Sequence, residues 1–110
     1  MGKHYVTVTG QNHYLGMKPF KVRRIVKLVK DTENEFDSEA IRVKLPYIGT
    51  IGYVANSCHT VFLGTCSAGR IYDSFENDTY GRILFITHSG AIAELVSKEE
   101  AEKEMSLDAY

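Results

Sequence analysis

The run Ile41-Arg42-Val43-Lys44-Leu45 alternates apolar and charged side chains without a break. A strand sends successive side chains to opposite faces, so this pattern specifies a half-buried β-strand. Ahead of it lies a polar turn, Asn34-Glu35-Phe36-Asp37-Ser38-Glu39-Ala40. Asn34 and Asp37 are turn formers, because their short side chains bond nearby backbone groups. Phe36 does not suit a plain solvated turn. It is either a packing anchor or a ring on which a base can stack, with an acceptor and an amide beside it. After the strand come the turn Pro46-Tyr47-Ile48-Gly49 and the return strand Thr50-Ile51-Gly52-Tyr53-Val54, together a hairpin. Gly52 inside the return strand predicts a bulge or a close backbone approach.

Further strands are expected on either side. Tyr5-Val6-Thr7-Val8-Thr9 is β-branched and alternating, and Gly10 ends it. Residues 21–30 place Val22, Ile25, Val26 and Val29 at helical spacing. Their Val and Ile content suits a pleated surface better, which predicts a long, bent strand with Lys21, Arg23 and Lys27 on one face. Asn56-Ser57 reads as a helix start, with Cys58, Phe62 and Cys66 as one apolar stripe and Gly69 as the stop. Residues 71–75 read as a strand, 76–81 as a polar loop, and 82–87 as a central strand apolar on both faces. Ser97 with Glu100 has the spacing of a capping box. The expected fold is mainly β: a six-stranded barrel over residues 1–90 with one helix after the fourth strand. An acidic tail follows over 91–110, as a short helix or frayed.

Composition narrows the function classes. At 110 residues the chain suits one domain. No apolar run approaches the ~20 residues that span a bilayer. The start Met-Gly-Lys-His-Tyr lacks the apolar core of a signal peptide, so a cytoplasmic protein is expected. Cys58 and Cys66, if helical, lie roughly 12 Å apart, too far for a disulfide. Reduced, buried thiols follow. Net charge is −1, yet the first thirty residues carry Lys3, Lys18, Lys21, Arg23, Arg24, Lys27 and Lys30 and no acid. The end of the chain is rich in Glu. Such asymmetry fits either a basic face for a polyanion or a solvated strand face beside an acidic tail. No metalloprotease, nucleophile-elbow, Walker or dinucleotide motif is present. Cys58, His59 and Cys66 lack the paired spacing of a structural zinc site. No cofactor, metal or catalytic residue is expected.

Taken together, Val8-Thr9-Gly10, then Asn34-Glu35-Phe36-Asp37-Ser38-Glu39-Ala40-Ile41-Arg42-Val43, then Ile51-Gly52-Tyr53-Val54 resemble the HIRAN domain family. The resemblance spans about residues 5–88. It implies an OB-like β-barrel with short helices that captures the free 3′ end of single-stranded DNA. It also implies a setting among DNA-processing proteins such as helicases. Carried over by motif, Asp37 accepts a hydrogen bond from the 3′-hydroxyl and Phe36 stacks on a terminal base or sugar, where the family often has Tyr. Asn34 shapes the loop and offers its amide. Tyr53, where other members carry His, bonds a phosphate or stacks. Asn12 and His13 align with an Arg-Tyr pair, and Tyr80 is a looser match to a base-stacking Phe. Losing the loop arginine at Asn12 removes a bidentate phosphate contact.

Two functional readings follow. One is a non-enzymatic module binding single-stranded DNA with a free 3′-hydroxyl. The other is a protein-interaction adaptor that keeps the barrel and has lost DNA. An enzyme acting on nucleic-acid ends lacks the clustered carboxylates that a metal-assisted reaction requires.

Overall fold

The alternating run forms a strand, β3 (Ile41–Leu45), with Ile41, Val43 and Leu45 buried and Arg42 and Lys44 on the outer face. The computed structural model describes residues 4–57 and 59–108. Around β3 lie β1 (Tyr5–Thr9), β2 (Ile25–Lys30), β4 (Gly49–Val54), β5 (Asp78–Ile86) and β6 (Ala91–Val96). The six strands close into an antiparallel barrel in the order β1-β4-β3-β2-β5-β6. Val6, Val8, Leu28, Ile41, Val43, Ile51 and Ile83 fill its interior with no exposed surface. Burial of such side chains, at ~1.5–3 kcal/mol each, is the main term holding the barrel.

Gly52 meets both expectations for it. The β3–β4 register slips between Val43 and Lys44, beside the Val43–Gly52 pair. A Cβ on Gly52 would stand 2.8 Å from the Thr9 carbonyl oxygen. Glycine lets β1 and the residues after it lie directly on β4.

Other expectations are corrected. The basic run is not a long strand: residues 21–24 form turns, Arg23 sits at φ 75, and β2 begins only at Ile25. No helix follows Ser57 for more than a turn. Ser57 does start one, its carbonyl accepting from Thr60 and Val61 N–H. The chain then takes Gly64 through φ 90 and turns its donors toward β1. Phe62 N–H reaches Thr7 Oγ1 and Cys66 N–H reaches the Tyr5 carbonyl. That outcome has a cause in the sheet, because β1 and β4 pair over only Val8–Val54 and Thr9–Tyr53, leaving the rest of that edge of β1 to be satisfied. Cys66 is a half-buried free thiol, whereas Cys58 lies outside the described residues.

The helix after β4 comes later and is short: α1 (Ala68–Ile71), capped by Ser67. Gly69 lies inside it. Residues 72–74 continue as a 3-10 turn where a strand is expected. Lys30 pins this corner, its ammonium donating to the Phe75 carbonyl and standing 4.3 Å from the Tyr72 ring centroid. The fifth strand is therefore β5, which already includes residues 78–81. Its far end is not apolar on both buried faces, since Phe85 and Ile86 are exposed.

The sixth strand is β6, which begins just where the expected barrel ends, and it pairs with both β1 and β5. Only α2 (Lys98–Asp108) lies beyond it, with Ser97 Oγ accepting Glu100 N–H as the capping pattern predicts. Arg82 of β5 fastens α2 to the barrel through Glu100 and Glu104, and pairs with Glu94 of β6 as well. Among the described residues, no helix is long and apolar enough to cross a membrane.

Candidate nucleic-acid interface

Strands β2 and β3 are joined by residues 31–40, and local hydrogen bonds fix the shape of that loop. Asn34 Oδ1 accepts both the Phe36 and Asp37 N–H groups at 2.9 Å, an Asx turn. Asp37 Oδ1 in turn accepts Glu39 N–H at 2.9 Å. With its backbone tied on both sides, Phe36 has no packing partner to fold back on and is 95% exposed. It is therefore not the packing anchor that a loop aromatic most often is.

Asp37 is held from a second direction. Asn56 Nδ2 donates to both Asp37 carboxylate oxygens, at 3.2 and 3.1 Å. Asn56 is itself seated by Gly69 N–H of α1, which donates to its Oδ1 at 2.8 Å. The short helix after β4 thus positions a carboxylate on the β2–β3 loop. A carboxylate offers about four acceptor sites, so the turn and Asn56 leave it room for one more donor.

Beneath the loop lies a buried polar centre. Asp31, 7% exposed, accepts from Tyr53 Oη at 2.8 Å, Arg42 Nη2 at 3.1 Å and Asn34 Nδ2 at 3.4 Å. The Arg42 hydrogen bond holds the Asp31 carboxyl below its ordinary range, against the opposing effect of burial. Arg42 is pushed upward by the same bond. Tyr53 is pushed up to about 12, first by burial and then by Asp31. It stays protonated at any ordinary pH, with that proton committed to Asp31. The ring is what Tyr53 offers outward, and Tyr14 lies against it with centroids 6.4 Å apart.

These parts enclose an open hollow of about 560 Å³. Asn34, Phe36, Asp37 and Tyr53 line it together, joined by Thr9, Asn56 and Thr60. Four residues singled out in the sequence are thus brought to one place. Three are not. Asn12 and His13 lie exposed on the 3-10 turn after β1 and do not line the hollow; their neighbour Tyr14 reaches it through Tyr53. Tyr80 lies at the other end of the barrel, packed with Ile25, Val96, Ala101 and Met105. The basic run does not border the hollow either, and among the described residues no Lys or Arg lines it.

Asn56, Asp31 and Tyr14 are functional neighbours that the sequence reading passes over. Asn56 is recognised there only as a helix start, and its role depends on α1 being packed beside the loop. The Asp31–Arg42 pair joins a strand end to an outward strand position, for which the sequence holds no local signal.

A ring face, a carboxylate with spare acceptor capacity and several hydroxyls can hold a flat group and a donor. A carboxylate with no cation in the lining repels a run of phosphates. The HIRAN domain model matches residues 1–63 of the 110, a span holding β1 to β4 and every residue named above as lining the hollow. Tyr80 falls outside it. No curated protein and no solved structure gives a match. With more than half its length matched, the chain belongs to the HIRAN domain family.

Proposed function

We propose that this chain is a non-enzymatic module that captures the free 3′-hydroxyl end of single-stranded DNA in the Phe36–Asp37 hollow. HIRAN family membership supports DNA as the ligand class. The observation that carries the finer reading is a held carboxylate beside a fully presented aromatic ring, with no cation lining the space between. In this reading Asp37 accepts from the terminal hydroxyl. Phe36 stacks on the last base, a contact worth ~1–3 kcal/mol and indifferent to sequence. Tyr53 adds a second ring, fixed in orientation by Asp31. Binding is modest and tolerant of sequence, and a DNA-processing partner such as a helicase delivers the end.

The test is fluorescence anisotropy at low salt with a short oligothymidine ending in either a 3′-hydroxyl or a 3′-phosphate. The hydroxyl end binds more tightly, and Asp37→Ala abolishes the difference. Equal binding to both ends, weakening steeply with salt, would mean phosphate contacts alone and would overturn end capture. The lack of a lining cation also fits the adaptor reading, in which no oligonucleotide binds and a protein partner stays bound at high salt.

A further inference from the structure

The β3–β4 hairpin has its other end in a different environment. Its tip, Pro46-Tyr47-Ile48, overhangs a groove of about 590 Å³ floored by Ile25, Leu45, Tyr80 and Met105. The groove continues into a second hollow of about 480 Å³ that shares most of these side chains and adds Arg24. Both lie at the start of β4, whereas the Phe36–Asp37 hollow lies at its end, roughly 15 Å away along the strand. Tyr47 is fully exposed and sits at φ 68, a backbone region that suits Gly, Asn or Asp. Ile48 beside it is half exposed. A hairpin tip gains nothing in folding from an exposed aromatic and an exposed aliphatic, one of them in a disfavoured conformation.

Charge defines what fits. Lys27 and Lys44 face each other across β2 and β3 on the groove wall. Lys44 has no partner among the described residues, and Lys27 shares only an exposed Asp78 at 3.5 Å. Arg24 bonds the Pro19 carbonyl and no carboxylate. The nearby Glu104 is taken up by Arg82. The rim is therefore cationic over an apolar floor. Strands β2 and β3 are hydrogen-bonded on both sides, so no partner can add a strand to them. A groove with an apolar floor suits insertion of side chains from one face of a helical segment. Nucleic acid is the poorer match, because Tyr47 is a single free ring at the rim and successive bases need a run of ring faces to stack on. Tyr80 here is packed on Ile25 and Met105.

We propose that this groove is a second binding surface, and that it takes an acidic amphipathic helix of a partner protein. Bulky apolar side chains enter over Ile25 and Met105, and carboxylates meet Lys44 and Lys27. The surface is separate from DNA-end capture and stands or falls without it.

The test selects random peptides of about four helical turns displayed on phage against the full chain, then measures a labelled selected peptide by anisotropy. Selected peptides combine Leu, Phe or Trp with Asp or Glu. Tyr47→Ser with Ile48→Ser weakens them about tenfold or more, Lys44→Glu weakens them separately, and Phe36→Ala leaves them unchanged. Tyr47, Ile48 and Phe36 are exposed and Lys44 is half-buried on the outer face, so melting temperatures close to wild type are expected. Peptides without acidic residues, or binding unaffected by both the tip and Lys44 variants, would overturn the proposal. So would displacement of the peptide by oligothymidine in the Phe36→Ala protein, which would reassign the groove to nucleic acid.

Discussion

Two buried charge centres sit at opposite ends of β2, built with inverse chemistry. At one end, Asp31 gathers Arg42, Tyr53 and Asn34 around a single carboxylate. At the other, Arg82, paired in register with Ile25, gathers Glu94, Glu100 and Glu104 around a single cation. The Arg82 centre joins α2 to β5 and β6, and its partners serve the fold. The partners of Asp31 have second duties: Tyr53 and Asn34 also line the hollow. A buried ion whose partners only tie elements of the fold together makes a clamp. One whose partners also face an open space makes a pre-organised site, because their orientations are set before any ligand arrives.

The largest test of this contrast is Arg82→Ala. Removing the cation takes their common partner from one buried carboxylate, Glu94, and two partly exposed ones, Glu104 and Glu100. It costs about 3 kcal/mol, the low end for a buried pair, visible as a large fall in the denaturant midpoint. The preference of the remaining folded protein for a 3′-hydroxyl is unchanged. If the preference fell together with stability, the two ends would be coupled and the contrast would fail.

Acid attacks both centres. Asp31 and Glu104 are both held below their ordinary values, 3.8 and 4.5, chiefly by hydrogen bonds from Arg42 and Arg82. A group with a lowered folded-state value binds its proton less readily folded than unfolded. Its stabilisation is complete above those ordinary values and is lost as pH falls through the lower folded-state ones. Denaturation midpoints recorded from neutral pH down to pH about 2 should therefore fall mainly on the acid side of the ordinary carboxylate range. In Arg82→Ala the share due to Glu104 disappears and the share due to Asp31 persists.

Asp31→Asn comes next, at about 2 kcal/mol, the scale of hydrogen bonds to a charged group. Unlike Arg82→Ala, it should weaken oligonucleotide binding as well, because Tyr53 and Asn34 lose their common anchor. Unchanged binding would mean that the site does not depend on the Asp31 centre.

The same division explains what could be read from the chain. The hairpin, the bulge at Gly52 and the turn at Asn34 are written in contiguous residues, so local chemistry was enough. Four lining residues were legible because they fall on that loop and that hairpin. The strand β6 was not. Its interior positions include Ala91 and Ala93, small enough to weaken the alternation, and it buries Glu94, which reads as tail. Arg82, from the neighbouring strand, helps make that burial tolerable. The short α1 was misplaced because the residues after Ser57 are drawn toward the unpaired edge of β1. Asn56 and Asp31 were passed over for a related reason: each takes its role from a segment distant in sequence.

The smallest and most discriminating change is Tyr53→Phe. It removes one hydroxyl and keeps the ring. Stability should fall by about 1 kcal/mol, since Asp31 keeps Arg42 and Asn34. The hydroxyl proton points to Asp31 and stays in place to a pH of about 12, so Tyr53 serves a ligand through its ring face. Binding of a 3′-hydroxyl oligothymidine should then fall a little, as the ring loses its tether to Asp31, whereas Tyr53→Ala, which deletes the ring, should weaken it far more. If Tyr53→Phe lost as much affinity as Tyr53→Ala, the hydroxyl would be a ligand contact. The Asp31 centre would then act directly in recognition, and the distinction between a centre that holds the site and a side chain that binds in it would have to be redrawn.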